Sequence, residues 1–252
     1  MMNRIKKAIC LFLLTAPIFI GCEQQRKETD ITTKIPSQKP AYLTQSIEKT
    51  GGLDAWNRTK KVEFDCIATF YQPDGSFYLT KQHHEISPWS NSIRVSALEP
   101  QGKFVWEFSR NGLSVIEGTR QENFLPIGLV AEDFTKAILD ITTTPIRLMD
   151  NKDGLTKGNN AIKVEGRWYY PIGQAESDNQ PNIIFYQNRD SSLIDLIWFV
   201  SAERGTPLAV RGYNYQEISR GGAFIPAKIE IFMTDLQGVI HNRLATIDYT
   251  IK

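Results

Sequence analysis

The chain has 252 residues, with 29 Lys and Arg against 28 Asp and Glu, a formal net charge of +1. No block of one sign occurs, which excludes a nucleic-acid binder, since such proteins need clustered Lys and Arg to displace counterions from phosphates. Adhesion to anionic lipid through a basic surface is excluded on the same ground.

The first 22 residues have the order of a secretory signal. Arg4, Lys6 and Lys7 form a basic start, an apolar run spans Ala8 to Ile20, and Phe19-Ile20-Gly21-Cys22 ends it. A run of about 13 residues is too short to span ~30 Å of hydrocarbon as a retained helix. A small residue directly before a cysteine resembles the lipobox of bacterial lipoproteins. That resemblance implies a signal peptide over 1–21 and acylation of Cys22, so the membrane attachment would be a lipid anchor. Glu23 stands where an Asp would resemble an inner-membrane retention signal, which points to an outer membrane location facing the periplasm. Loss of the signal leaves 26 basic against 28 acidic side chains.

Residues 23–40 are polar, contain two prolines and offer few apolar anchors. They read as a disordered tether, and with Cys22 they make up a segment over 22–40 that would hold the domain roughly 25 Å from the bilayer. With Cys10 removed and Cys22 modified, Cys66 stands alone, so no disulfide framework is possible. It alternates with Val62, Phe64 and Ala68 on one face of a strand and reads as a small buried residue. No His or helix N-terminus is evident nearby in sequence to activate its thiol.

A single domain is expected over 41–252. A helix starts at Ala41, with Leu43 and Ile47 on one face, and Gly51-Gly52 stops it. A short helix over Leu53–Arg58 carries Trp56. The apolar period then changes to two. Val62–Tyr71 and Phe77–Ile86 form a hairpin around Pro73-Asp74-Gly75, and strands over Asn91–Leu98, Lys103–Ser109 and Leu113–Glu117 follow. Pro100-Gln101-Gly102 and Asn111-Gly112 are the turns between these strands. In Gly128–Thr142, residues Val130, Phe134, Ala137, Ile138 and Ile141 form a helical stripe, with Glu132, Asp133, Lys136 and Asp140 on the other side. Pro145 ends it. Strands resume at Ala161–Tyr170, Asn182–Asn188, Leu193–Ser201, Leu208–Glu217, Ala227–Thr234 and Val239–Ile251. The fold class is mostly β (α+β), with about eleven strands and two or three helices packed on one face.

Three segments carry a family resemblance. They are Thr50-Gly51-Gly52-Leu53-Asp54-Ala55-Trp56, the aromatic strand and turn Phe104–Gly112, and Tyr213–Ala227 leading into two strands around Asp235-Leu236-Gln237-Gly238. With the central helix, their order resembles the lipoprotein-localisation superfamily, the LolA/LolB-like fold, over about residues 41–252. The resemblance implies a curved antiparallel sheet, an incomplete β-barrel, with helices covering its concave face as a lid. It also implies a hydrophobic ligand such as a lipid or acyl chain in that concavity.

Candidate cavity-lining residues are Phe104, Trp106 and Phe108 on one strand and Ile229, Ile231 and Met233 on another. Candidate lid residues are Val130, Phe134, Ile138 and Ile141. The strand over Leu193–Ser201 is apolar on both faces, with Leu193, Ile197 and Phe199 opposite Ile194, Leu196, Trp198 and Val200. Its second face must therefore be covered by helices or line a hydrophobic cavity. His83 and His84 are adjacent in a strand and point to opposite faces, and His241 lacks zinc-like spacing, so no metal site is expected. G-x-S-x-G, P-loop and H-E-x-x-H motifs are absent, and neither a catalytic residue nor a cofactor is expected. The rival to a lipid binder is an envelope scaffold or interaction lipoprotein of the same fold, with an interior closely packed rather than open.

Overall fold

The computed structural model describes residues 41–99, 103–119, 123–144, 146–149, 155–174, 182–219 and 221–250. The signal, Cys22, the tether, the turn at 100–102, Pro145 and Ile251 lie outside the described residues. Residues Lys39–Lys252 form one compact unit.

Among the described residues there are four helices and 13 strands. Helices α1 (Ala41–Lys49) and α2 (Gly52–Arg58) come first. Strands β1 (Val62–Tyr71), β2 (Phe77–Ser87), β3 (Ser92–Glu99), β4 (Phe104–Ser109) and β5 (Gly112–Glu117) follow. Then come α3 (Ala131–Thr143), α4 (Ile146–Met149), β6 (Leu155–Lys157), β7 (Ile162–Val164), β8 (Arg167–Gln174) and β9 (Ile183–Asn188). The chain closes with β10 (Ile194–Val200), β11 (Pro207–Glu217), β12 (Phe224–Thr234) and β13 (Ile240–Thr250).

All strands belong to one antiparallel sheet in the order β5-β4-β3-β2-β1-β13-β12-β11-β10-β9-β8-β6, with β7 paired to β8. The ends do not meet, so the sheet is an open curved one, an incomplete barrel. The two strands beyond the expected eleven have local causes. The expected strand Ala161–Tyr170 is a hairpin, because Glu165 and Gly166 both take positive φ (45° and 84°) and turn β7 back onto β8. Strand β6 has three residues and α4 has four, too few to show a period.

The concave face follows from strand alternation. In β1, Val62, Phe64, Cys66, Ala68 and Phe70 are buried in the main core, while Glu63, Asp65 and Ile67 are exposed. Thr80, Gln82, His84 and Ile86 of β2 are buried beside them. The sharp turn between α1 and α2 needs Gly51. Its φ is +103°, and a Cβ there would stand 2.9 Å from the Gly222 carbonyl oxygen. This close approach lets Phe224 N–H donate to Thr50 O at 2.9 Å, tying the helices to the start of β12. Trp56 is buried and donates to Thr50 Oγ1 at 3.0 Å.

Helix α3 contacts β3, β4 and β5 on one arm of the sheet and β10, β11 and β12 on the other. These arms are separated in the sheet order by β2, β1 and β13. A 13-residue helix is about 20 Å long, so it reaches both only because the sheet curls around it. The helix is more enclosed than a stripe facing a sheet would require. Asp133 and Asp140, expected on the polar outer side, are buried, and Glu132 and Lys136 alone in α3 are half-exposed.

Among the described residues, the second face of β10 is covered neither by a helix nor by a cavity wall. A separate apolar cluster of Tyr169, Tyr186, Leu196, Trp198, Ala209 and Phe232 packs there, with Val164 of β7 against it. A bulge at Asp195 shifts the register, which moves Ile194 to the concave core instead of the face of Leu196 and Trp198. The β7–β8 turn is held over this outer cluster by Glu165 Oε2 and Arg211 Nη1, 2.5 Å apart.

Trp106 shows what close packing on the concave side implies. It is fully buried, stacks on Phe104 at 4.0 Å between ring centroids, meets Phe134 of α3 at 6.3 Å and donates to Thr119 O at 2.8 Å. Trp106→Ala should cost about 3–5 kcal/mol of folding stability, read as a lowered urea midpoint with unchanged slope. A loss under about 1 kcal/mol would mean that this part of the interior is not tightly packed.

Candidate functional site

The candidate site is the concave face under α3. The structure brings most of the expected residues together there. Phe104 and Trp106 of β4, Ile229 and Ile231 of β12, and Phe134, Ile138 and Ile141 of α3 are all buried in one core. Phe108 and Met233 are half-buried at its margin. Val130 is buried but caps the helix in extended conformation rather than lying in its stripe. The aromatic group is larger than the sequence suggested. Phe124 lies 5.1 Å from Phe70 and 5.4 Å from Phe104, and Phe70 lies 5.2 Å from Phe134.

The approach to α3 is made by Pro126-Ile127-Gly128. Gly128 has φ +93°, a left-handed conformation that favours glycine, and a Cβ there would come within 2.7 Å of the flexible end of Met233. Ile127 is 74% exposed. A groove of about 380 Å³ opens at this end, lined by Tyr71, Pro126, Ile127, Met233 and Leu244 among others.

The polar contacts of α3 are largely its own. Thr135, Thr143 and Thr144 donate to the carbonyls of Ala131, Leu139 and Asp140. Asp140 is ion-paired with Lys136 on the same helix and with Arg147 of α4. Burial lowers Lys136 to about 8 and Arg147 to about 10, with Asp133 and Glu132 acting against the fall at Lys136. Asp133 accepts from Ser201 Oγ at 2.7 Å, and burial raises its pKa.

At the centre of the sheet, β1, β2 and β13 carry a polar cluster that the sequence reading missed. Cys66 Sγ lies 3.5 Å from His84 Nε2, so a histidine does stand beside this thiol. His84 Nε2 also lies 2.7 Å from Gln82 Oε1, and His84 Nδ1 lies 2.8 Å from Tyr249 Oη. Gln82 Nε2 donates to Thr80 Oγ1 at 2.7 Å. The arrangement is not that of an activated nucleophile. Burial pushes the Cys66 thiol up and lowers His84 to about 3, so both stay neutral near pH 7.

The other histidines lie elsewhere. His83 faces the opposite side of the sheet, 2.9 Å from Asp65, and His241 lies 3.4 Å from Asp235. Among the described residues, no group of three or more His, Cys, Asp and Glu is arranged to hold a metal ion, and no helix is long and apolar enough to cross a membrane.

His84 gives the fold a pH signature. Its folded pKa of about 3 lies below its ordinary value of 6.5, so between these limits the unfolded chain binds more protons. Its contribution is therefore fully present above pH 6.5 and is lost as pH falls toward 3. Unfolding free energies from urea titrations at pH 7 and pH 4.5 should differ by about 2–3 kcal/mol more in the wild type than in His84→Gln. Equal pH dependence in the two proteins would show that His84 is protonated without cost in the folded state.

No family model and no curated protein matches the sequence. Solved structures do match. A LolA superfamily protein from Nitrosomonas europaea is 13% identical, with a TM-score of 0.50 over 82% of this chain and 91% of that one. A DUF1329 family protein from Desulfovibrio piger is 10% identical, with a TM-score of 0.43 over 83% and 90%. A domain named for outer membrane lipoprotein sorting, from Vibrio parahaemolyticus, is 8% identical, with a TM-score of 0.38 over 81% and 91%. At such identities likeness speaks for architecture and not activity, and the first of these carries the comparison. The chain thus shares the LolA-like fold, an open curved sheet wrapped around a helix.

Proposed function

We propose that this protein is a lipid-anchored, extracytoplasmic binder of a hydrophobic ligand, a lipid or acyl chain, which occupies the concave face of the sheet in place of α3. It does no covalent chemistry. The observation that carries this reading is the way α3 is held. The hydroxyls of Thr135, Thr143 and Thr144 bond to the helix's own backbone, and Asp140 is ion-paired with Lys136 and with Arg147 of α4. Lifting α3 together with α4 would strand none of these groups; one buried polar contact would break, that of Ser201 Oγ with Asp133, and an unpaired buried polar atom costs about 1–3 kcal/mol. Apart from that bond, α3 gives up apolar contact, which an acyl chain replaces in kind at about 25 cal/mol per Å². Gly128 and the exposed Ile127 stand where such a movement would pivot.

The close packing of Phe104, Trp106 and Phe134 favours the rival reading, an envelope scaffold with a permanently filled interior. Hydrogen exchange separates the two. If α3 is a cover, amides over 129–141 should exchange faster than those of β1, β12 and β13, and a bound fatty acid should change their protection. Protection as high as in the central strands and indifferent to fatty acid would establish the filled scaffold.

The anchor is proposed at Cys22, from the basic, apolar and Gly-Cys order that precedes a polar segment. Cell envelopes carrying the wild type should show the protein labelled by a metabolic fatty-acid probe. Cys22→Ser should abolish the label and leave the product uncleaved or released. Persistent labelling of the variant would place the acyl group elsewhere.

A further inference from the structure

The apolar wall of the concave face is interrupted in one place, at the centre of the sheet. Thr80, Gln82 and His84 of β2, Cys66 of β1 and Tyr249 of β13 are each at most 8% exposed, yet they surround themselves with Val62, Phe64, Ala68, Phe70 and Ile86. Apolar residues at these positions would complete the core, because buried polar groups cost free energy unless every one is bonded. Here they are bonded in a single line, Thr80–Gln82–His84–Tyr249. Two of its members, Cys66 and Gln82, also border a groove of about 430 Å³ on the outer face of the sheet, lined by Asp65, Ile67, Lys81, His83 and Thr250.

The line has a direction. Gln82 Nε2 donates to Thr80, so its Oε1 accepts, and His84 must carry its proton on Nε2. Nδ1 then accepts from Tyr249 O–H. Every donor can reverse without any group gaining or losing a proton. If the Gln82 amide flips and the His84 proton moves from Nε2 to Nδ1, Thr80 O–H donates to Gln82, Gln82 N–H to His84 Nε2, and His84 Nδ1–H to Tyr249. Tyr249 O–H is then free to donate outward.

We propose that this reversible line is a neutral polar subsite of the concave face, in which Tyr249 donates a hydrogen bond to the ester or amide carbonyl of an acyl ligand. The inference rests on the reading that acyl chains bind there, and it adds which part of the ligand is recognised. Burial keeps His84 neutral and raises the Tyr249 phenol. A neutral carbonyl suits such a donor, while a carboxylate or phosphate would bring a charge into contact with a line of neutral groups.

The test uses methyl decanoate and undecane, equal in chain character but differing in the carbonyl, with protein labelled by ¹⁵N-histidine. The His84 signal is identified by its loss in His84→Gln. Without ligand, His84 should show the Nε2–H tautomer. Methyl decanoate should convert it to Nδ1–H and undecane should not. Tyr249→Phe should weaken methyl decanoate about five- to tenfold, the worth of one hydrogen bond, and leave undecane unchanged. The tautomer is read in the wild type, so it stands even if Tyr249→Phe folds poorly. If methyl decanoate binds while His84 keeps Nε2–H and Tyr249→Phe binds both probes like the wild type, the subsite is overturned while the concave reading survives. Failure of the wild type to bind either probe overturns the concave reading and the subsite with it.

Discussion

An open sheet of 13 strands has two free edges and one large apolar face to cover, and here one helix does most of the covering. Helix α3 touches β3–β5 and β10–β12 at once, so the curl of the sheet and the position of the helix determine each other. Small residues make this possible. Ala131 and Ala137 of the helix and Ala68, Ala97 and Ala245 of the sheet are all fully buried, which lets backbones approach where larger side chains would hold them apart. The large aromatics Phe70, Phe104, Trp106 and Phe124 gather at one side, around Phe134. Any ligand on the concave face must therefore compete with α3, and the affinity observed would be the difference between two burials of similar apolar surface.

The opposite face obeys a different logic. Strands β8–β12 carry a second apolar cluster there, and the β7–β8 hairpin folds over its polar margin. Arg211 is 3% exposed and pairs with Glu165 of the hairpin turn, while Asp195 at the bulge lies 3.8 Å from Arg167. Burial raises Asp195 to about 6. This half of the sheet is stiffened from both sides, whereas β1 and β2 show water an ordinary alternating face with Ile67 and Leu79 about half exposed. The half that carries the polar line thus has less packed behind it than the half that anchors the outer cluster.

Most of the architecture could be read from local signals, and the misses share a cause. The period-two run of β1 and the Gly51-Gly52 stop gave their elements with little error, because both are patterns within ten residues. The β7–β8 turn at Glu165-Gly166 was hidden because the strand alternation continues through it in sequence. The two-faced burial of β10 was visible, but its reason was not, since the cover comes from a hairpin whose direction the sequence does not display. Cys66 and His84 are 18 residues apart and Tyr249 is 165 beyond His84. Only the pairing of β1 with both β2 and β13 brings them together, so their contact was invisible in the chain. Likewise, Asp133 and Asp140 of α3 read as water-facing until Ser201, Lys136 and Arg147 are placed against them.

The central claim is that the concave face exchanges its own helix for a hydrophobic ligand. Native mass spectrometry of protein purified from its envelope without detergent tests it most directly. The account predicts a fraction of molecules carrying a noncovalent adduct of lipid mass, removed on collisional activation and absent after delipidation and refolding. A single adduct-free mass for the folded protein, unchanged after incubation with excess phospholipid or fatty acid, would contradict it and leave the filled scaffold.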